Sequence, residues 1–282
     1  MNANHQTTGL FKYLSPAKFE FFEKCLLSLT PPIYFNDPWD FLPKGQAVSE
    51  AQLLEAPEIV EAAIAQASVI AVPLDFARRR RDASLQALRK QITTDDFLEG
   101  ASDNYQQKIS KIVGAISLTE LPLCRLMWAH YAESYSGFVV EFIAGEMDHY
   151  KGFFARTLGF GLPATKVKYP LSAQRVTLNE NADNVDELCW SKHPVWEYEQ
   201  EWRVVAHLHG SHSVGIKDKK GEDRFCVSFP PQSLHRVIFG MRMKPEIKRR
   251  LLAMLARPEF EHVQKEVTAI NHGTGELVSK AF

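Results

Sequence analysis

The sequence predicts an α+β fold: a mixed, mostly antiparallel sheet with a helical insertion in its N-terminal half. Two observations carry this. Short apolar or alternating segments, several stopped by Pro or Gly, recur from residue 114 onward, while helical patterning concentrates earlier. The glycine signatures of regular doubly wound folds are absent, with no G-x-G-x-x-G and no G-x-x-x-x-G-K-[ST]; G-x-S-x-G and H-E-x-x-H are missing too. At 282 residues, 45% apolar and 24% charged, the chain fits one soluble globular domain over 1–282 with the insertion at about 49–112.

The elements follow in order. Gly9 to Leu14 is a strand, ended by Ser15-Pro16. Ser15 then caps a helix that runs through Leu29, with Pro16 at its first position and Phe19, Phe22, Leu26 and Leu29 at helical spacing. Pro31-Pro32 stops it, and Ile33 to Asp40 makes an ordered aromatic loop. From Ser49 to about Ile112 the chain is helical and polar. Arg78 to Arg81 lie there, and helix geometry spreads four consecutive cations around the axis, so a solvated face is favoured over a phosphate contact. Gly114 to Thr119 is a strand, Leu126 to Glu133 a short helix and Gly137 to Phe142 a strand. Lys166 to Tyr169 alternates, Asp183 to Lys192 is helical, and Glu199 to His207 is a strand. Strands at Arg224 to Phe229 and His235 to Gly240 precede a helix over Pro245 to Leu255, and Glu261 to Ile270 closes the sheet.

Lys+Arg 33 against Asp+Glu 34 leaves a formal charge of -1, which excludes a global basic field for coating nucleic acid. No apolar run approaches the ~20 residues that span a bilayer. Residues 1–9 lack the basic and apolar regions of a signal peptide, so a cytoplasmic protein without membrane contact is expected. Cys25, Cys124, Cys189 and Cys226 are scattered among apolar neighbours and read as buried free thiols.

Chemistry concentrates in Trp196-Glu197-Tyr198-Glu199-Gln200-Glu201-Trp202-Arg203. As a strand, this run places Glu199, Glu201 and Arg203 on one face and Tyr198 and Trp202 on the other. The two carboxylates then lie about 7 Å apart. In a cleft they raise one another's pKa while Arg203 lowers it, and such a pair orients a ribose, stabilises a cation or acts as a base. In solvent the same row is an ordinary strand end. Trp128 and Tyr131 share a helix face, as core aromatics or as a stacking platform, while His130 points elsewhere. His207, His209 and His212 lack a completing acidic or cysteine ligand, so no metal is expected.

Leu10-Phe11-Lys12-Tyr13, Phe35-Asn36-Asp37-Pro38, Ile116 to Thr119 and Met127 to Tyr131 with Ser136-Gly137-Phe138 resemble a bacterial family of uncharacterised domains. It is the domain of unknown function numbered twenty-nine seventy-one. Lys192, Trp196, Tyr198 to Arg203 and Val237 to Gly240 continue the pattern. The order of elements also resembles the ADP-ribosyltransferase superfamily, especially its DNA-modifying toxins, some of which carry a late-strand [QE]-x-E. The resemblance implies NAD as co-substrate, a nucleic-acid or protein acceptor, and a toxin or phage-defence setting with an antitoxin or defence-system partner. It puts Glu201 in the catalytic position with Glu199 two residues before it. Trp128 or Tyr131 is then placed against nicotinamide, Lys12 and Tyr13 on the first strand near the phosphates, and Asn36, Asp37 and Arg203 around the pocket. Lys12-Tyr13 stands where the superfamily has Arg or His, and Ser117 and Thr119 match its middle motif loosely. For Asn36 and Asp37 an Asx-turn before Pro38 is the plain alternative. Two other readings stay open: a non-catalytic nucleotide- or peptide-binding module, and a metal-dependent nuclease using Glu199, Glu201, Asp37 and a histidine.

Overall fold

Apolar residues on both faces make β1 (Gly9–Leu14) a central strand: Leu10 and Leu14 enter the main core, and Phe11 and Tyr13 a smaller aromatic cluster on the other side. Lys12 is the polar exception. The computed structural model describes residues 9–42, 103, 105–146, 155–170, 188–210, 212–217, 221 and 223–282. Most of the expected insertion at 49–112, Arg78 to Arg81 and residues 183–187 lie outside them.

The chain divides into two compact units: Met1–Asn36, Ser110–Leu171 and Trp190–Phe282 form one, and Asp37–Ile109 with Ser172–Cys189 the other. In the second unit, the Gln106 amide donates to the carbonyls of Pro38 and Asp40 at 3.2 and 3.1 Å. Asp37 accepts the Trp39 N–H at 3.0 Å, which is the Asx-turn reading of that residue.

The first unit is mixed α+β. Six antiparallel strands close a barrel: β1, β3 (Val113–Thr119), β7 (Glu201–His207), β6 (Pro163–Lys166), β5 (Ala155–Leu158) and β4 (Phe138–Glu146), with β4 returning to β1. Beyond β4 the sheet continues through β10 (Leu234–Phe239), β11 (Gln264–Ile270) and β12 (Leu277–Ala281), and β10–β11 is its parallel pair. A second sheet pairs β2 (Leu26–Leu29), β9 (Asp223–Ser228) and β8 (Ser213–Lys217). Paired residues share a face, so the register Leu10↔Phe142, Leu14↔Phe138 and Leu118↔Trp202 collects the main core on one side of the wall.

The helices are short. After α1 (Glu20–Lys24) and α2 (Arg125–His130), α3 (Pro245–Leu255) starts with Pro at its first position and turns Leu251 and Leu255 inward. Where β10 ends, Gly240 runs so close to the turn after α2 that a Cβ there would lie 2.0 Å from the Tyr135 carbonyl oxygen.

Several boundaries differ from the sequence expectation. The helix expected through Leu29 ends at Cys25, which adopts φ 51°, and the chain re-enters as β2. Leu27 and Leu29 satisfy a period of two as well as Phe22, Leu26 and Leu29 satisfy a helical one, and pairing with β9 decides between them. The expected strand at Lys166–Tyr169 lies earlier, at Pro163–Lys166. β8 and β12, largely exposed, carry too little alternation to be read in advance.

Candidate functional site

The Trp196–Arg203 run is not one strand. Residues Pro194–Glu199 form a 3-10 helix, Gln200 turns in the left-handed region at φ 43°, and β7 starts at Glu201. Glu199 and Glu201 therefore converge through a turn, not through the alternation of a strand. Tyr198 joins the aromatic cluster and Trp202 the main core, so they do not share one backing face.

Four charged side chains interlock at this turn, all buried. Arg203 Nε and Nη2 grip Glu201 Oε1 and Oε2 at 2.8 and 3.0 Å, a bidentate pair. Lys192 Nζ bridges the carboxylates, 2.6 Å from Glu199 Oε2 and 3.2 Å from Glu201 Oε2, with its ammonium 4.8 Å from the Trp196 ring centroid. The Tyr131 hydroxyl donates to Glu199 Oε1 at 2.5 Å and accepts from the Asn36 amide at 2.9 Å. Backbone contacts fix the turn: Thr119 Oγ1 donates to the Glu199 carbonyl at 2.5 Å, and the Glu201 N–H donates to the Tyr169 hydroxyl at 2.8 Å.

Burial by itself would raise the Glu201 carboxyl. The Arg203 and Lys192 charges, with hydrogen bonds from Arg203 and Ser117, outweigh it and hold the group at about 2. The like-charge effect of Glu199 is thus subordinate, and Glu201 stays anionic near neutral pH. Lys12 Nζ donates to the Ser117 carbonyl at 2.9 Å, across the seam where β1 meets β3 at Phe11↔Thr119. Burial lowers its ammonium to about 8, against the opposing pull of Glu201 and Glu199. Burial, then Glu199, pushes the Tyr131 hydroxyl up, so it remains a neutral donor.

Lys12 meets no side chain of the cluster, its Nζ donating to the Ser117 carbonyl on β3, whereas Glu199, Glu201, Arg203, Tyr131 and Asn36, also singled out from sequence, come together. Tyr13 and Trp128 do not. The Tyr13 hydroxyl donates to the Leu121 carbonyl at 2.7 Å, and its ring meets Trp128 edge-on at 5.5 Å. Trp128 is fully buried, stacks on Tyr135 at 5.9 Å, and offers no face to nicotinamide. The shared helix face of Trp128 and Tyr131 exists, but its first member is core.

Lys192 and Tyr169 escaped the sequence reading. The one signal for Lys192 was its place in the family pattern, since a lysine before His193-Pro194 has no periodicity to betray burial. Tyr131 is aimed by an unusual turn: after α2, Glu133, Ser134 and Tyr135 all take positive φ, at 45°, 53° and 71°. Three consecutive left-handed non-glycine residues are costly, and the packing around them holds the turn. The Tyr198 hydroxyl meets His130 Nδ1 at 3.2 Å. Among the described residues, no group of three or more His, Cys, Asp or Glu is arranged to hold a metal ion; His207 Nδ1 accepts the His209 N–H.

Residues 127–204 match the model of a family described as a protein of unknown function (DUF2971). That stretch contains Tyr131, Lys192, Glu199, Glu201 and Arg203; the quoted segments at 10–13, 35–38, 116–119 and 237–240 lie outside it. No curated protein and no solved structure matches the chain, and nothing in these comparisons points to ADP-ribosyltransferases.

Proposed function

We propose that the chain is an ADP-ribosyltransferase-like enzyme that uses NAD to modify a nucleic acid or a protein, in the setting of a bacterial toxin or phage-defence effector. One observation carries the reading. The strands bearing the three elements of the resemblance, β1 with Lys12, β3 with Ser117 and Thr119, and β7 with Glu201, are neighbours in that order. Thr119 thereby meets Glu199 across 80 positions, and Lys12 meets Ser117 across 105.

In the proposed reaction the bond between the ribose C1′ and the nicotinamide nitrogen breaks, and nicotinamide leaves with the electron pair. The acceptor's nucleophile bonds to C1′ and loses its proton. Positive charge develops on the ribose, and Glu201, anionic and fixed by Arg203, Lys192 and Ser117, supplies a preorganised counter-charge. Tyr131, itself held by the Asn36 amide, holds Glu199, while Lys12 contributes a cation on the β1 side. The test is incubation with labelled NAD and bacterial extract. Nicotinamide release and labelled acceptor are expected. Glu201→Gln should lower turnover per folded molecule by about a hundred- to a thousand-fold, the loss of a barrier contribution of roughly 3–4 kcal/mol.

A second reading is favoured by the bidentate grip of Arg203, which ties up both oxygens of Glu201. In a non-catalytic nucleotide- or peptide-binding module the network would be scaffold only. NAD binding without nicotinamide release, unchanged by Glu201→Gln, selects that reading and ends the catalytic assignment.

A further inference from the structure

Trp202 faces away from Glu201 on β7, and a second polar cluster surrounds it. Arg156 on β5 and Lys166 on β6 flank the indole, with the guanidinium carbon 4.8 Å and the ammonium 5.9 Å from the ring centroid. Lys166 pairs with Trp202, and Arg156 pairs with Ala164 two residues before it, so both cations share that face. One carboxylate serves them. Glu120 Oε1 accepts Trp202 Nε1 at 3.0 Å and lies 3.7 Å from Arg156 Nη2, and Oε2 accepts Lys166 Nζ at 3.3 Å. Two hydrogen bonds and one longer ion pair thus fall on that carboxylate. Arg156 Nη1 is nonetheless enclosed and has no hydrogen-bond partner.

An enclosed guanidinium N–H without an acceptor is rare, and a missing bound anion is one of its standard causes. Among the described side chains, two cations here face one carboxylate. Lys166 has donors to spare and is 44% exposed, so the cluster is open to solvent. We propose that Arg156, Lys166 and Trp202 form a second binding site, for the oxygens of a phosphate group. A phosphate has enough oxygens to meet Nη1 and the lysine together, and guanidinium geometry suits it. The site stands on different residues from the NAD reading and does not require it.

The experiment uses the full chain at matched ionic strength, with chloride as control. Inorganic phosphate should raise the melting temperature of the wild type, while Arg156→Gln removes the rise and Lys166→Gln weakens the apparent affinity about tenfold. If Arg156→Gln does not fold, Arg156→Lys keeps the charge and loses Nη1, and it should weaken phosphate protection too. A second arm measures binding of a labelled single-stranded oligonucleotide against salt, where each lost phosphate contact lowers the logarithmic slope by about 1. Protection by phosphate alone assigns the site to a free phosphate or small phosphorylated ligand, and a slope change in the variants assigns it to a nucleic-acid backbone. Equal phosphate responses in all variants together with an unchanged oligonucleotide slope overturn the proposal. Neither arm reads NAD turnover, so its failure is separate from that of the enzymatic reading.

Discussion

Two ion networks engage the same large sheet, one buried throughout and one partly open to solvent, and they are built differently. In the first, Lys192, Glu199, Glu201 and Arg203 have side chains no more than 5% exposed and come from a loop, a 3-10 helix and β7. The second joins Arg236 of β10 to Glu141 of β4 and Glu266 of β11, at 2.8 and 3.0 Å, with Arg236 20% and Glu266 17% exposed. Arg236 and Glu141 are cross-strand partners, so sheet register alone creates that contact. It staples three adjacent strands over the Phe11 ring, 5.5 Å below the guanidinium. The first network has no such simple origin. It needs a left-handed Gln200, a strained turn at 133–135 and hydroxyls from Tyr131, Tyr169, Ser117 and Thr119. A contact that register provides costs little to keep, whereas one gathered from six segments against backbone strain points to a site.

The sharpest way to break this contrast is to remove each arginine. Arg203→Met leaves Glu201 buried beside a single cation and should cost about 3–5 kcal/mol in chemical denaturation. Arg236→Met should cost less, about 1–2 kcal/mol, because two of its three members reach solvent. Equal losses would make the two networks the same kind of object.

Acid titration sharpens the contrast next. Glu201 falls from an ordinary 4.5 to about 2 on folding, so its stabilisation is present in full above about 4.5 and is lost as pH falls through 2. That amounts to about 3 kcal/mol. Glu201→Gln should flatten this acid limb in pH-dependent unfolding; an unchanged limb would mean that other carboxylates carry it.

At the alkaline end the sign reverses. The Lys12 ammonium is lowered from 10.5 to about 8, so the unfolded chain binds more protons between those values and stability rises with pH across that window. The gain should be about 2 kcal/mol once screening of this half-buried residue is allowed for, and Lys12→Met should abolish it. An effect as small as that of Arg236→Met belongs to Tyr131→Phe, which keeps the ring and deletes the hydroxyl between Asn36 and Glu199. About 1–2 kcal/mol of stability should go, with a larger proportional fall in any NAD turnover. Lost stability with unchanged turnover per folded molecule would reduce Tyr131 to scaffold.

Much of the fold was legible because binary patterning is local. β1 and α3 match the sequence reading end to end, since a short apolar run stopped by Ser15-Pro16 in one and Pro245 with an apolar stripe in the other have no rival interpretation. The segment at 20–29 was not legible, as Leu26 and Leu29 fit two periods at once. Within the site, the pairing of Glu199 with Glu201 was visible from residue types alone, though the reason offered, one strand face, was wrong.

The sequence by itself determined which residues carry charge and where apolar periods begin and stop, and so the α+β class, the run of strands and the candidate acids. Only the tertiary structure decided which cations meet those acids. Lys192 looks like a surface lysine in sequence, Lys12 stands out only through the resemblance, and Trp128 fits a core residue or a ligand platform. Burial depends on what the rest of the chain lays against a residue: barrel closure brings β1 and β3 to the Glu199–Glu201 turn and seals Trp128 beneath Tyr13 and Tyr135. Charge is a property of a side chain; its pairing and its dielectric surroundings belong to the fold.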